Sequence, residues 1–414
     1  MAKIVLKGGT IIDGTGKEPI KGGTLVVEGG KISGIYAKGM GSAPLEKGGK
    51  EIDVRGKFII PGLIDVHTHF FCCGEPNYNF MEILITTPIG LKVLKAIRPL
   101  QKLLEMGITT IRISGDGNDF MDVALRDAVN LGYIQGPRIL ASGYHLTIPG
   151  GHGYHPPHWI DTPLAIGLRC SGPEDFRRAA REQLGRGVDS VKLVATRGVT
   201  TMGEPGAPQL TIDELRAAIE EAHKRNKLAE AHALGAEGIK NAIKAGIDSI
   251  AHGVFLDEEG ADMMIERGIP LAPTMSIIHA IAERGFKEGD PPFIFEKSKE
   301  IVRVWERQFK FMHKRGVKIV LGTDAECPFN LHGNNAHELE LFVRYGMSEM
   351  EAIVAGTKHA AEALRMGDKV GTLEKGKLAD LVVVDGNPLK EIGILRHKEK
   401  IKMVMKEGEV VVSK

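Results

Sequence analysis

The chain has 414 residues, 43% of them hydrophobic and 26% charged, with a formal net charge of +1. That length exceeds one small core and suits a large α/β barrel with an appended unit, or two medium domains. Near-zero net charge removes the electrostatic case for a nucleic-acid or anionic-membrane partner. No apolar run approaches a transmembrane helix, and four cysteines in this length argue against a disulfide scaffold and fit a reducing cytoplasm.

The first sixty residues read as short strands broken by glycine: "KIVLKGGTIID", "GTLVVEGGKISGIY" and "KEIDVRGKFIIPG". The opening "MAKIVLKGGTIIDGTG" alternates like a strand pair and lacks the shape of a signal peptide, so a cytoplasmic location is expected. The last forty residues return to this style in "VGTLEKGKLADLVVVDG" and "KIKMVMKEGEVVVSK". One β unit assembled from both termini is therefore expected, with boundaries at residues 1–61 and 365–414 around a central domain of residues 62–364.

Next comes "PGLIDVHTHFFCCGEP", Pro61 to Pro76, with two histidines one residue apart and then two adjacent cysteines. On a strand, residues i and i+2 face the same way, so His67 and His69 can reach one ion. Adjacent cysteines alternate faces on an extended segment, so Cys72 and Cys73 cannot both present sulfur to that ion without a turn. Phe70, Phe71 and Cys72 read as the loop leaving this strand, packing or shaping a pocket.

The middle of the chain repeats a junction in which a helix-like stretch ends in glycine and a β-branched residue opens an apolar run. It occurs at Gly107, Gly187, Gly246, Gly268 and Gly316. Glycine suits the left-handed position just past a helix end, and β-branched runs suit strands buried on both faces. "TIDE" from Thr211 and "SEME" from Ser348 have capping-box spacing. Repeated units of this length predict a parallel barrel or a doubly wound sheet. The doubly wound alternative wants a glycine-rich phosphate loop after an early strand, where this chain offers histidines. In a barrel, chemistry sits at the C-terminal ends of the strands. Further candidates follow strand-like runs there: Lys192 in "VDSVKLVATRG", His232 in "KLAEAHALG", His252 in "IDSIAHGVF" and Asp324 in "VKIVLGTDAE".

With these residues in order, the sequence resembles the amidohydrolase superfamily, in the branch of imidazolonepropionase-like proteins and metal-dependent Xaa-Pro and Xaa-Arg dipeptidases. The motifs "PGLIDVHTH", "VDSVKLVATRGV", "AEAHALGAEGI", "GTDA" and "GTLEKGKLADLVVVDGNPL" carry the likeness over nearly the whole chain. The resemblance implies a (β/α)8 TIM barrel with a β-sandwich built from both termini. It also implies two divalent metal ions, zinc first, with manganese or cobalt as substitutes. His67, His69 and Asp324 would hold one ion, His232 and His252 the other, and Lys192, carboxylated by CO2, would bridge them. The implied reaction is attack of a metal-bridging hydroxide on an amide, with Asp324 as general acid and base; N-acyl amino acids and dipeptides are the implied substrates. The same ligands serve lactone, carbamate, phosphotriester or cyclic-amide hydrolysis. A one-metal deaminase would dispense with Lys192, and a non-enzymatic scaffold would have lost ligands. Lys192 could otherwise neutralise a neighbouring carboxylate.

Substrate contacts are expected from His152 in the "GGHG" segment, from Arg197, and from His332 in "HGNNAHELEL", with Asn335 beside it. His145, His155 and His158 read as loop histidines. The Gly/Pro-rich run Thr200 to Leu210 reads as a loop over the site mouth, a candidate lid. Two departures from the branch stand out: Ala251 where a glutamate often precedes the last histidine, and no tyrosine after His232, which weakens a specific dipeptidase assignment. A homo-oligomer acting on a small molecule is expected.

Overall fold

The computed structural model describes residues 3–40, 48–71, 82–83, 86–154, 162, 165–287, 291–327 and 329–414. Cys72, Cys73, His155 and His158 lie outside them.

The chain opens with strands β1 (Ile4–Ile11), β2 (Ile20–Glu28), β3 (Lys31–Tyr36), β4 (Lys50–Asp53) and β5 (Phe58–Pro61). A second set follows: β6 (Leu63–Thr68), β7 (Ile108–Ile113), β8 (Arg138–Ala141), β9 (His145–Thr147), β10 (Gly167–Arg169), β11 (Ser190–Val194), β12 (Leu228–Gly235), β13 (Ser249–Phe255) and β14 (Leu271–Ala272). The chain closes with β15 (Leu381–Val384), β16 (Ile401–Lys406) and β17 (Glu409–Ser413). Strands of the first and third sets share one sheet, in the order β17-β16-β15-β5-β1-β2-β3 with β4 also on β1. It has its own core, including Leu6, Leu25, Ile59, Leu381 and Met405. The terminal strands thus meet as their common style predicts.

The second set is parallel throughout. Its sheets run β6-β7-β8 and β10-β9-β11-β12-β13-β14. The amide of Asp189 donates to the carbonyl of Ala141, joining the β8 side to the β11 side. On the far side, Val320 N–H donates to Leu271 and Val66 N–H donates to Leu321, so residues 318–325 run between β14 and β6. This is the strand layer of an α/β TIM barrel, and helices pack on it.

The helices used below are α1 (Ile89–Glu105), α2 (Met121–Asn130), α3 (Pro173–Gly185), α4 (Ile212–Lys224), α5 (Ala236–Ala245), α6 (Glu258–Arg267), α7 (Met275–Arg284) and α8 (Pro292–Arg315). α4 opens with the expected capping box, Glu214 N–H donating to Thr211 Oγ1 at 3.3 Å and Thr211 N–H donating to Glu214 Oε2 at 2.9 Å. Ser348 and Glu351 repeat it. The five junction glycines all take positive φ, from +66° to +99°; Gly246 ends α5 at +99°, where a side chain would be strained. α8 buries Ile294, Phe295, Ile301, Trp305, Phe309 and Met312 along one face. Phe309 stacks on Phe342 at 5.3 Å, and truncating so buried a ring to alanine costs about 3–5 kcal/mol.

Candidate metal centre

Three elements bring His67, His69 and Asp324 together. β6 alternates, so Asp65, His67 and Thr68's successor His69 share a face. The segment after Ile319 runs beside β6, with the amide of Asp324 donating to the carbonyl of His67 at 2.8 Å and that of His69 donating to Ala325 at 2.9 Å. Asp324 Oδ1 then lies 3.1 Å from His67 Nε2 and 2.9 Å from His69 Nε2. One ligand atom from each of the three falls within 4.8 Å of the others. Asp324 holds φ at +56° and His252 at +78°. Left-handed backbone in non-glycine residues costs on the order of 1–3 kcal/mol and gathers at functional sites.

The outer nitrogens of the two histidines are fixed by buried carboxylates. His67 Nδ1 meets Glu230 Oε1 at 2.6 Å, and His69 Nδ1 meets Asp116 Oδ1 at 2.8 Å. Such partners set the ring orientation and raise ligand basicity. Burial opposes charge on His69, yet the hydrogen bonds to Asp116 and Asp324 prevail and lift it to about 9. Burial likewise opposes the Asp324 carboxylate, and His67 and His69 hold it well below the usual range. Glu230 also pairs with Arg112, NH2 to Oε1 at 2.9 Å. Arg112 itself donates to the carbonyl of Val66 at 2.9 Å and reaches Ser249 Oγ at 3.3 Å.

Strand register supplies the other half. Lys192 on β11 pairs with Glu230 on β12, Val194 pairs with His232, and Ala233 pairs with His252 on β13. Lys192 is 1% exposed, and its Nζ lies 3.5 Å from Glu230 Oε2. That contact is an ion pair without hydrogen-bond alignment: neither atom has a hydrogen-bond partner among the described residues. Burial pushes the Lys192 ammonium down despite the pull of Glu230. The His232 and His252 rings lie 4.3 Å apart, and His252 lies 5.3 Å from His67. Burial holds both imidazoles well below the ordinary range, hence neutral. His252 Nδ1 meets Thr274 Oγ1 at 2.7 Å, while His232 Nε2 is buried and unpartnered.

All six expected ligands therefore converge. They line a cavity whose walls are largely apolar: Val199, Val254, Ile277, Ile278, Ile281 and Trp305. His152 lines it too, its backbone N–H donating to Gln209 Oε1 at 2.6 Å and its ring bonded to Thr201 Oγ1. A Cβ at Gly198 would overlap the His152 ring, so glycine there admits the histidine. Thr200 brings the Gly/Pro-rich loop to the cavity, and Lys297 Nζ ties that loop to α8 through the carbonyl of Thr201 at 2.7 Å.

Arg197 and His332 sit elsewhere. Arg197 NH1 donates to the carbonyl of Met202 at 3.1 Å, within its own loop, and does not line the cavity. His332 is buried behind β6, where Nε2 donates to the carbonyl of His69 at 2.9 Å and the ring packs on Phe70 at 4.5 Å. Asn335 donates to Asp65 Oδ2 at 2.8 Å, and Thr323 Oγ1 donates to the same atom at 2.6 Å, bracing the backbone next to Asp324. His145 corrects the loop reading: it lies on β9, lines the cavity, and its Nε2 donates to the carbonyl of Ser114 at 2.9 Å. Phe71 lines the cavity, and Phe70 is core. Sequence reasoning missed Asp116, Glu230 and Arg112. Glu230 was recoverable, since it precedes His232 by two on a strand and so shares its face.

The residues fit a metal. His232 and His252 are buried and neutral, Asp324 is anionic, and Lys192 Nζ and His232 Nε2 lack a hydrogen-bond partner among the described residues. Imidazole with carboxylate suits a divalent ion such as zinc.

Residues 58–411 match the amidohydrolase family. Ochratoxinase from Aspergillus niger is 30% identical over 98% of this chain and 86% of its own length. Among solved structures, a Xaa-Pro dipeptidase with bound methionine in the active site is 33% identical with a TM-score of 0.88, covering 99% of each chain. A prolidase complexed with N-methylphosphonate-L-proline is 29% identical with a TM-score of 0.90 over 100% of each chain. An imidazolonepropionase from Shouchella clausii is 24% identical over 95% of this chain and 86% of its own. The chain is a hydrolase acting on C–N bonds, and it belongs to the amidohydrolase family.

Proposed function

We propose that this chain is a binuclear metal-dependent hydrolase that cleaves an amide bond in a small molecule, such as an N-acyl amino acid or a dipeptide. The observation that carries the reading is Lys192: a fully buried lysine beside two neutral histidines, with no hydrogen bond to Nζ among the described residues and its ammonium disfavoured by burial. A neutral amine there can take up CO2 and become an anionic bridge. His67, His69 and Asp324 would hold one ion, His232 and His252 the second. Two ions bound there would lower the pKa of water and polarise the scissile carbonyl. Asp324, kept anionic by His67 and His69, takes a proton from the attacking water and passes it to the leaving nitrogen. His152 hydrogen-bonds the substrate at the cavity wall. The apolar wall from α7 and α8 excludes water and accepts an apolar group flanking the bond. The Xaa-Pro dipeptidase and prolidase among the similar structures support a dipeptide-like substrate.

The reading also includes a (β/α)8 barrel of residues 62–364, a sandwich from residues 1–61 and 365–414, a cytoplasmic location and a homo-oligomer. The test is metal content per chain for wild type and Lys192→Ala, followed by assay of N-acyl amino acids, dipeptides, lactones and cyclic ureas. Two ions falling to one or none, with amide turnover in wild type, is the expected result. One tightly bound ion unaffected by the lysine change would overturn it, as would activity confined to lactones.

A further inference from the structure

Glu230 divides its two oxygens between different tasks. Oε1 receives His67 Nδ1 at 2.6 Å and Arg112 NH2 at 2.9 Å. Oε2 faces Lys192 Nζ at 3.5 Å, is buried, and receives no hydrogen bond from the described residues. A buried carboxylate oxygen with nothing donating to it costs on the order of 1–3 kcal/mol, so its retention beside a buried lysine calls for a donor.

Carboxylation of Lys192 leaves it one, with a fixed direction. The neutral Nζ lone pair forms a bond to the carbon of CO2, one C=O π pair becomes the charge of the new carboxylate, and one proton leaves Nζ to water. Nζ begins with two hydrogens and ends with one. That single N–H is planar with the carbamate and points away from the oxygen lying across the C–N bond, so fixing the N–H fixes where the carbamate oxygens lie. We infer that Glu230 is a positioning residue for the Lys192 carbamate: Oε2 accepts the remaining Nζ–H, while Oε1 holds His67. One carboxylate then sets both a terminal metal ligand and the bridge. Arg112 supplies the positive charge that lets Glu230 stay ionised next to a second anion. The inference rests on the proposed carboxylated, two-ion site and adds to it the group that orients the bridge.

Glu230→Gln is the discriminating change. Only with its amide oxygen in the Oε1 place do the His67 and Arg112 donors keep an acceptor, and this turns the amide NH2 toward the Nζ–H. Donor then faces donor. The experiment follows the carbamate carbon by 13C NMR in metal-loaded protein titrated with 13C-bicarbonate, with metal content measured on the same samples. Wild type should show the carbamate resonance. Glu230→Gln should need about ten- to a hundredfold more bicarbonate for half occupancy, the loss expected for one hydrogen bond to a charged group. Equal occupancy at equal bicarbonate would overturn the positioning role while leaving the bridge intact. A wild type with no carbamate at any bicarbonate concentration would instead overturn the bridged site, and this inference with it. Should Glu230→Gln fail to fold, wild type labelled with 15N-lysine gives the second reading. The carbamate N–H should resist exchange with solvent deuterium, and rapid exchange would refute its bond to Oε2.

Discussion

The two halves of the centre are built differently. All four ring nitrogens of His67 and His69 have partners, and each imidazole leans on a buried carboxylate, Glu230 or Asp116. Around Lys192, His232 and His252 the support is thinner. Thr274, a neutral hydroxyl, backs His252, while Lys192 Nζ and His232 Nε2 have no hydrogen-bond partner among the described residues. The first half is organised by the protein alone. The second leaves buried polar atoms open among the described residues. In the proposed two-ion site, affinity in one half would be stored in fixed carboxylates, and in the other it would depend on the Lys192 bridge.

Asp324→Asn should break the contrast most severely. It keeps the shape but removes the proposed proton carrier, so kcat should fall by about 10³-fold or more in single-turnover assays. Asp116→Asn comes next, because it weakens the better-supported half: affinity for the ion held by His69 should drop about 10- to 100-fold in chelator competition. Thr274→Val probes the thinner half, where a neutral partner has less to lose. The second ion should weaken by less than about tenfold, and an effect as large as that of Asp116→Asn would erase the asymmetry. The smallest functional change is expected at Glu338, whose carboxylate accepts the Met275 and Ser276 amides at the start of α7. Burial pushes Glu338 up to about 8 from 4.5. Between those pH values Glu338 holds its proton in the folded chain but not in the unfolded one, so its contribution to stability is fully present below 4.5 and is lost as pH rises through 8. Glu338→Gln should flatten that decline, worth up to a few kcal/mol, in urea melts at pH 5 and pH 8. A slope unchanged by the substitution would assign the pH dependence elsewhere.

What was legible in the sequence was local. His67 and His69 stand two apart on a strand, and the junction glycines mark helix ends by a requirement of their own backbone, met at every one of the five. Asp324 and Lys192 stand out because each follows a strand-like run, the family motifs supply their expected roles, and both line the one cavity. The supporting shell was not legible, for its contacts span the barrel: Asp116 lies 47 residues from His69, and Glu230 lies 163 from His67. No periodicity encodes such pairs. Arg197 and His332 show the reverse problem. Each stands near a motif in sequence, but backbone carbonyls within the loop and behind β6 capture their donors. His145 was hidden by its neighbours in a histidine-dense stretch, where only the strand β9 distinguishes it.

The terminal sheet has a consequence for the chain during its synthesis. β5 lies between β1 and β15, and β15 pairs with it antiparallel from Leu381↔Pro61 to Val384↔Phe58. The partner of β5 is therefore translated some 320 residues after β5 itself. At about 5–20 residues per second the nascent chain carries that open edge for tens of seconds, and unpaired strand edges are templates for aggregation. A ribosome stalled before residue 381 would release a chain whose barrel strands are all present but whose first sheet has no closing strand. Yield of this protein should thus respond to translation speed and to chaperone supply more than its folded stability alone would suggest.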